Sequence, residues 1–390
     1  MTRPLRILVA QNVPHHRRGG MSRMLGFLHD RVALDGHQVE FFTADQMPDR
    51  WNGRFARFSF PWLLRRHVVA AARAGRPYDV VNVHEPSAGM LAFGRRAMGG
   101  PHLVVTSHGL EERGWQVALA DAELGRMPLS RKARFLHPAT ILSQARLGLR
   151  HADHVFCLNE DDRSYLMREY GYNPERVTRL FPAADPAYAA VFPRRDYSVD
   201  DRLLVFGTWL PRKGAADIVA AFESLAAARP RLKLTLMGMG FSAESVAAWF
   251  PESLRSRLEV VPPSSEAELA ERMLSAAVYW IPSLFEGTPQ TLIETMATGM
   301  PAVATATCGM KDVVRDSENG FLIPLRDPVA LAAATDRLLG DRELRERLGR
   351  QAHADAAEHY TWNRAAEPVR AVYQRITEER NARLNATIEP

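Results

Sequence analysis

Short β-branched and apolar runs alternate with longer stretches of helical periodicity along the whole chain. In the first half they predict strands over Arg6–Ala10, Val39–Thr43, Asp79–Val83, Leu103–Thr106, His154–Leu158 and Val177–Phe181. In the second half the runs are Leu203–Gly207, Lys233–Met237, Leu258–Val261, Val278–Ile281, Ala302–Ala304 and Phe321–Ile323. Strands apolar on both faces and separated by helices imply parallel sheets covered on both sides. Met21, Met24, Leu25, Leu28 and Val32 fall on one helical stripe, with Gly36 placed as a stop. Between the halves, Phe181–Pro193 holds three prolines and no period, which marks a linker. The expected fold is α/β, two doubly wound Rossmann-like domains in tandem. Domain 1–182 would face domain 183–363 across a cleft, and ligands would bind beyond the carboxyl ends of the strands.

Composition narrows this picture. The chain has 390 residues, 46% hydrophobic and 24% charged, which suits two cores and excludes a disordered or fibrous chain. Cys157 and Cys308 cannot make a disulfide framework, and no C-x-x-C suggests zinc or redox chemistry. The apolar run Ile7–Ala10 is shorter than a secretory h-region needs, so a cytoplasmic protein is expected. The net charge of +5 is uneven: residues 1–182 carry 26 basic and 17 acidic side chains, the remainder 24 and 28. No nucleic-acid module accompanies the basic half, so nucleic acid is not an expected partner.

Candidate chemistry gathers where strands meet helices. The segment Pro282–Pro301 runs from a strand into a loop with Glu286, then into a helix opening near Pro289. Backbone N–H groups along Gly287, Thr288, Pro289, Gln290 and Thr291 (the proline apart) leave the helix start free to favour an anion. Glu286 and Glu294 bracket that cradle, where sugar or ribose hydroxyls would suit them; as isolated glutamates they would read as an N-cap and a solvated helix residue. In Phe206–Gly214, Gly207 permits a tight turn, and Arg212 and Lys213 set cations at the next helix's entrance. The order is not that of a Walker A loop. Gly19 and Gly20 open the first helix after the first strand, and Gly238-Met-Gly240 is another nucleotide-type turn. His15 and His16 lack further ligands, and no metal or other cofactor is expected. His108 ends a strand run facing the expected cleft; His84 and Glu85 end another and take second place.

Together these residues resemble the retaining glycosyltransferases of family 4, which have the GT-B fold. The resemblance spans nearly the whole chain: Gly19 and Gly20, His108, the loop Gly207 to Gly214, and the E-x7-E segment from Glu286 to Glu294. The runs from Gly309 and from Glu318 also fit, as does a closing helix from about 364 to 390 expected to return to the first domain. The resemblance implies a nucleotide-sugar donor on the second domain, UDP ahead of GDP, and an acceptor on the first. It implies that Glu294 holds the ribose and Glu286 a sugar hydroxyl. Lys213 would pair with the diphosphate, helped by the amides of 287–290 and of Gly20, and His108 would serve the sugar's reacting end. Transfer would retain configuration, the departing phosphate oxygen taking the acceptor's proton.

Two positions depart from the family. Thr208 stands where members usually have an arginine that pairs with the lysine, and Arg212 is expected to supply that charge. Ala183-Ala184 replaces the hinge Asn-Gly. The Thr208 departure keeps a second reading open, a catalytically weak nucleotide-sugar-binding subunit serving a partner transferase. An epimerase or phosphorylase on the same fold would not predict the E-x7-E segment. The acceptor itself, whether glycan, lipid-linked intermediate or small molecule, is not legible. The stretch Arg113–Pro138 interleaves Trp115, Arg126, Arg131, Lys132, Arg134 and Phe135. It would dock on an anionic membrane surface at the inner face, hold an anionic acceptor, or be a solvated face.

Overall fold

The computed structural model describes residues 4–14, 20–51 and 56–388. It contains two six-stranded, wholly parallel sheets. The strands of the first are β1 (Arg6–Gln11), β2 (Gln38–Thr43), β3 (Val80–His84), β4 (His102–Thr106), β5 (His154–Cys157) and β6 (Val177–Arg179). Those of the second are β7 (Arg202–Phe206), β8 (Lys233–Met237), β9 (Leu258–Val261), β10 (Val278–Ile281), β11 (Ala302–Thr305) and β12 (Gly320–Ile323). All twelve expected strands are present, shifted by at most two residues at an end. Most are buried on both faces, which is why they read as near-continuous apolar runs.

The chain divides into two compact units. The first comprises residues 1–115, 129–181 and 362–390; the second comprises 116–128 and 182–361. Reading along the chain places 116–128 with the first half, but within the second unit Arg126 pairs with the buried Asp217 at 2.6 Å and Arg326 with the buried Asp121 at 2.6 Å. A carboxylate so deeply buried requires such a cation.

In the first unit the strand order is β2-β1-β3-β4-β5-β6, so the chain reverses direction across the sheet between β1 and β3. Leu8, Val81, Val83, Leu103, Val105 and Val155 form the centre of its core. Its closing helix, Trp362–Ile388, packs on the helix Gly20–Ala33: Phe27 and Trp362 rings lie 4.7 Å apart, and Arg31 bonds Asn363 at 3.0 Å. In the second unit the order is β12-β11-β10-β7-β8-β9, with the reversal between β7 and β10. Leu203, Leu234, Val278, Trp280 and Val303 centre its core, and Trp280 Nε1 donates to Thr335 Oγ1 at 2.7 Å.

The stretch Phe181–Pro193 is not aperiodic throughout. It folds into a short helix, Pro186–Ala190, because Asp185 accepts the Ala187 N–H at 2.9 Å and Pro186 sits where a missing N–H costs nothing. Ala184 N donates to Tyr360 O at 3.2 Å, fastening this segment to the chain leaving the second unit.

Candidate functional site

The switch point of an open parallel sheet is where adjacent strands send their connections to opposite faces, leaving a crevice at their carboxyl ends. In the second unit that crevice lies beyond β7 and β10, and the candidate residues come from the two loops that leave these strands. The loop after β7 starts at Gly207, whose φ of +144° excludes most side chains, and ends at Gly214. Gly214 has φ +78°, and a Cβ there would collide with the carbonyl oxygen of Pro282. Only glycine lets the two loops approach so closely. Leu284 N also donates to Arg212 O at 2.8 Å.

That contact delivers Lys213 to Glu286. Lys213 Nζ and Glu286 Oε1 form a tight ion pair, and Arg212 Nη1 stands 3.4 Å from the same oxygen and 3.2 Å from Phe285 O. Burial pushes the Glu286 carboxyl up, but Lys213, Arg212 and a bond from Ser283 outweigh it and hold the group below the usual range. Two cations thus share one carboxylate. Gly207, Thr208, Lys213, Tyr279 and Ser283 line a small depression beside the pair.

The remaining expected residues fall around this cluster. Gly238 (φ +67°) packs on the Phe206 ring, and Thr208 lies against Gly240. Pro289 caps the helix Gln290–Ala297. Gly287 and Thr288 rest against Gly309, whose N–H bonds Gly287 O at 2.9 Å, and any Cβ on Gly309 would strike them. Thr291 Oγ1 meets Tyr279 Oη at 2.9 Å, tying the helix to β10. Gln290 turns its amide to Ala183 O at 3.4 Å. Glu294, one turn into the helix, is wholly buried. Sequence reasoning missed Ser283 and Tyr279 as parts of the site. Their signal is position, within β10 and just beyond its end.

His108 and Gly20 belong to the first unit, where Gly20 opens the helix Gly20–Ala33. Gly19, like His15 and His16, lies outside the described residues. His108 stands two residues beyond β4, and its Nε2 is 2.7 Å from Nδ1 of His84, the last residue of β3. The rings are 4.8 Å apart at 30°. Burial lowers His108 to about 4 and His84 well below its ordinary value, so both rings are neutral near pH 7. Asn82, Thr106 and His29 lie close by, around a small cavity. Tyr373, from the closing helix, receives Asn82 Nδ2 at 2.9 Å and meets His29 Nε2 at 3.2 Å. Glu85, next in sequence to His84, is half-buried and accepts the Glu111 N–H at 3.3 Å, and burial pushes its carboxyl up to about 8. Among the described residues no group of three or more His, Cys, Asp or Glu side chains is gathered as a metal site would require. No described helix is long and apolar enough to cross a membrane.

Comparison with known proteins covers both units. The model for glycosyltransferase family 4 matches residues 18–188, and that for glycosyl transferases group 1 matches 195–355. A D-inositol 3-phosphate glycosyltransferase of Geodermatophilus obscurus is 30% identical over 322 residues, 77% of this chain and 67% of that protein. A phosphatidyl-myo-inositol mannosyltransferase of Mycobacterium leprae is 28% identical, covering 92% and 89%. Sucrose-phosphate synthase of Thermosynechococcus elongatus aligns with TM-score 0.73 at 21% identity, covering 96% of this chain and all of that one. The Anabaena protein HepE, solved with UDP, aligns with TM-score 0.66 at 16% identity, covering 95% and 100%. These structures show that the fold is GT-B.

Proposed function

Because this chain belongs to glycosyltransferase family 4, we propose that its second unit binds a UDP-sugar and that the sugar passes, with retention of configuration, to an anionic acceptor held by the first unit. The observation that carries this reading is the Lys213–Glu286–Arg212 cluster at the switch point of the second sheet. Its chemistry divides by charge. Lys213 and Arg212 take the diphosphate, together with the N–H groups opening the helix Gln290–Ala297. Glu286, freed of part of its cation partnership, accepts a hydroxyl of the sugar, and Glu294 accepts those of the ribose. As the bond from the anomeric carbon to the β-phosphate oxygen breaks, negative charge grows on that phosphate, where fixed cations and backbone dipoles lower the barrier. The acceptor oxygen bonds the anomeric carbon on the same face and gives its proton to the departing phosphate oxygen. His108 attends the reacting end of the sugar.

A phosphorylated polyol is the acceptor class this reading favours. Relatives are named for inositol phosphate and phosphatidylinositol, and the basic surplus lies in residues 1–182. Helix Arg131–His137 adds Arg131, Lys132 and Arg134 beside Phe135, 75% exposed, which supports contact with an anionic membrane surface. The test is to incubate the purified chain with UDP-, GDP- and TDP-sugars and inositol phosphate, following nucleoside diphosphate release. Release with UDP-sugar supports the proposal. Saturable binding without release favours the binding-subunit reading, and neither binding nor release overturns both. Co-sedimentation with anionic liposomes in low and high salt tests the membrane contact, and salt-independent absence of binding removes it.

A further inference from the structure

The imidazole pair at the strand ends of the first unit has only one hydrogen to share between the facing nitrogens, and its surroundings decide which ring owns it. Parallel pairing sets His84 beside Thr106, and the chain then carries His108 over the His84 ring. His84 is 4% exposed; its Nδ1 faces His108 Nε2 at 2.7 Å, while its own Nε2 is buried with no hydrogen-bond partner. Met24, Leu25, Leu28 and Phe156 supply the apolar part of that cavity wall. The nearby His29 cannot serve: its Nδ1 is held by Leu25 O at 3.0 Å and its Nε2 by Tyr373 Oη at 3.2 Å.

Two arrangements are open to neutral rings. If His108 donates, His84 must carry its proton on Nε2, burying an N–H with no acceptor. If His84 donates, its Nε2 is a bare lone pair. Orphaned N–H groups are the rarer and costlier of the two in protein interiors. We therefore propose that His84 is a positioning residue: it donates from Nδ1 to His108 Nε2 and so fixes the proton of His108 on Nδ1. His108 then carries a neutral N–H donor on its other nitrogen and is not a general base. This fits a transfer in which the departing phosphate, not a side chain, takes the acceptor's proton, and in its catalytic consequence it rests on the role proposed above for His108.

The test reads the tautomer directly, by two-dimensional nitrogen–proton spectra of the full chain labelled with 15N-histidine at pH 7. The expected result is a single His108 form protonated on Nδ1. His84→Leu should turn it into a mixture or the opposite form. His84→Asn, whose amide offers an N–H near the position of Nδ1, should restore it. A wild-type His108 protonated on Nε2, or a tautomer unaltered in His84→Leu, overturns the proposal; if His84→Leu fails to fold, the wild-type spectrum alone decides. Turnover should follow the tautomer, kcat falling about tenfold in His84→Leu with donor KM unchanged and recovering in His84→Asn, the weight of one hydrogen bond. The spectrum needs no substrate, so its failure is distinct from failure of the glycosyltransferase reading.

Discussion

The two units share a doubly wound parallel design and equip their switch points in opposite ways. The second unit uses charge held by glycine: Gly207 turns the chain and Gly214 brings two backbones together, so that Lys213 and Arg212 converge on Glu286. The first unit uses neutral rings and hydroxyls: His84, His108, His29 and Tyr373, kept uncharged by burial and linked by hydrogen bonds. The same strand geometry therefore supports an electrostatic trap in one place and a hydrogen-bonding surface in the other. In the proposed function the diphosphate takes the first kind of site, and a hydroxyl-rich group is oriented by the second.

The contrast breaks most sharply at its charged end. Lys213→Ala should lower kcat about a thousandfold while leaving the first unit's hydrogen-exchange protection unchanged; activity within tenfold of the parent would remove the lysine from the site. Gly214→Ala should destabilise the second unit by about 3 kcal/mol, since it adds both a strained backbone and a collision with Pro282. Urea unfolding would measure it, and an unchanged midpoint would mean the loops are free to separate.

Acid should strike the neutral end. Burial holds His29 and His108 to about 4 and His154 to about 3, so the unfolded chain, with histidines near 6.5, binds protons that the folded unit refuses. Each of these histidines then costs about 2 kcal/mol at pH 5, a loss that begins as the pH falls through 6.5 and deepens toward 4. Glu85, raised to about 8, works in the opposite sense and offsets roughly one of them. Hydrogen exchange should show β1–β6 losing protection between pH 7 and 5 before β7–β12 do; equal loss in both would void the comparison. The smallest expected effect is that of Arg212→Ala, whose half-exposed guanidinium should account for about a tenfold change in donor affinity. Unchanged affinity and turnover would show that Thr208 leaves the lysine as this loop's single cation.

Strands were the most legible part of this sequence, since burial on both faces writes a continuous apolar run whatever the neighbours are. The glycine loop and the E-x7-E segment were legible for a related reason, because helix entrances and tight turns leave local marks. Pairings were not. Lys213 and Glu286 are 73 residues apart, and their meeting depends on the collision that Gly214 avoids. His84 took second place to His108 because nothing in a linear chain shows that parallel register will stack one ring on the other. The helix Pro186–Ala190 was hidden by its own proline, which marks a break in most contexts and a helix start in this one.

The closing helix has a consequence for the order in which the protein is made. Tyr373 completes the polar cluster beneath His84, yet it is synthesised after the whole of the second unit. At ordinary ribosomal speed the first six strands wait roughly ten to forty seconds, with Asn82 and His29 lacking their phenolic partner, while the later unit is translated. The half that emerges first is thus the half that finishes last, and a chaperone acting on the nascent chain would find its binding surface there.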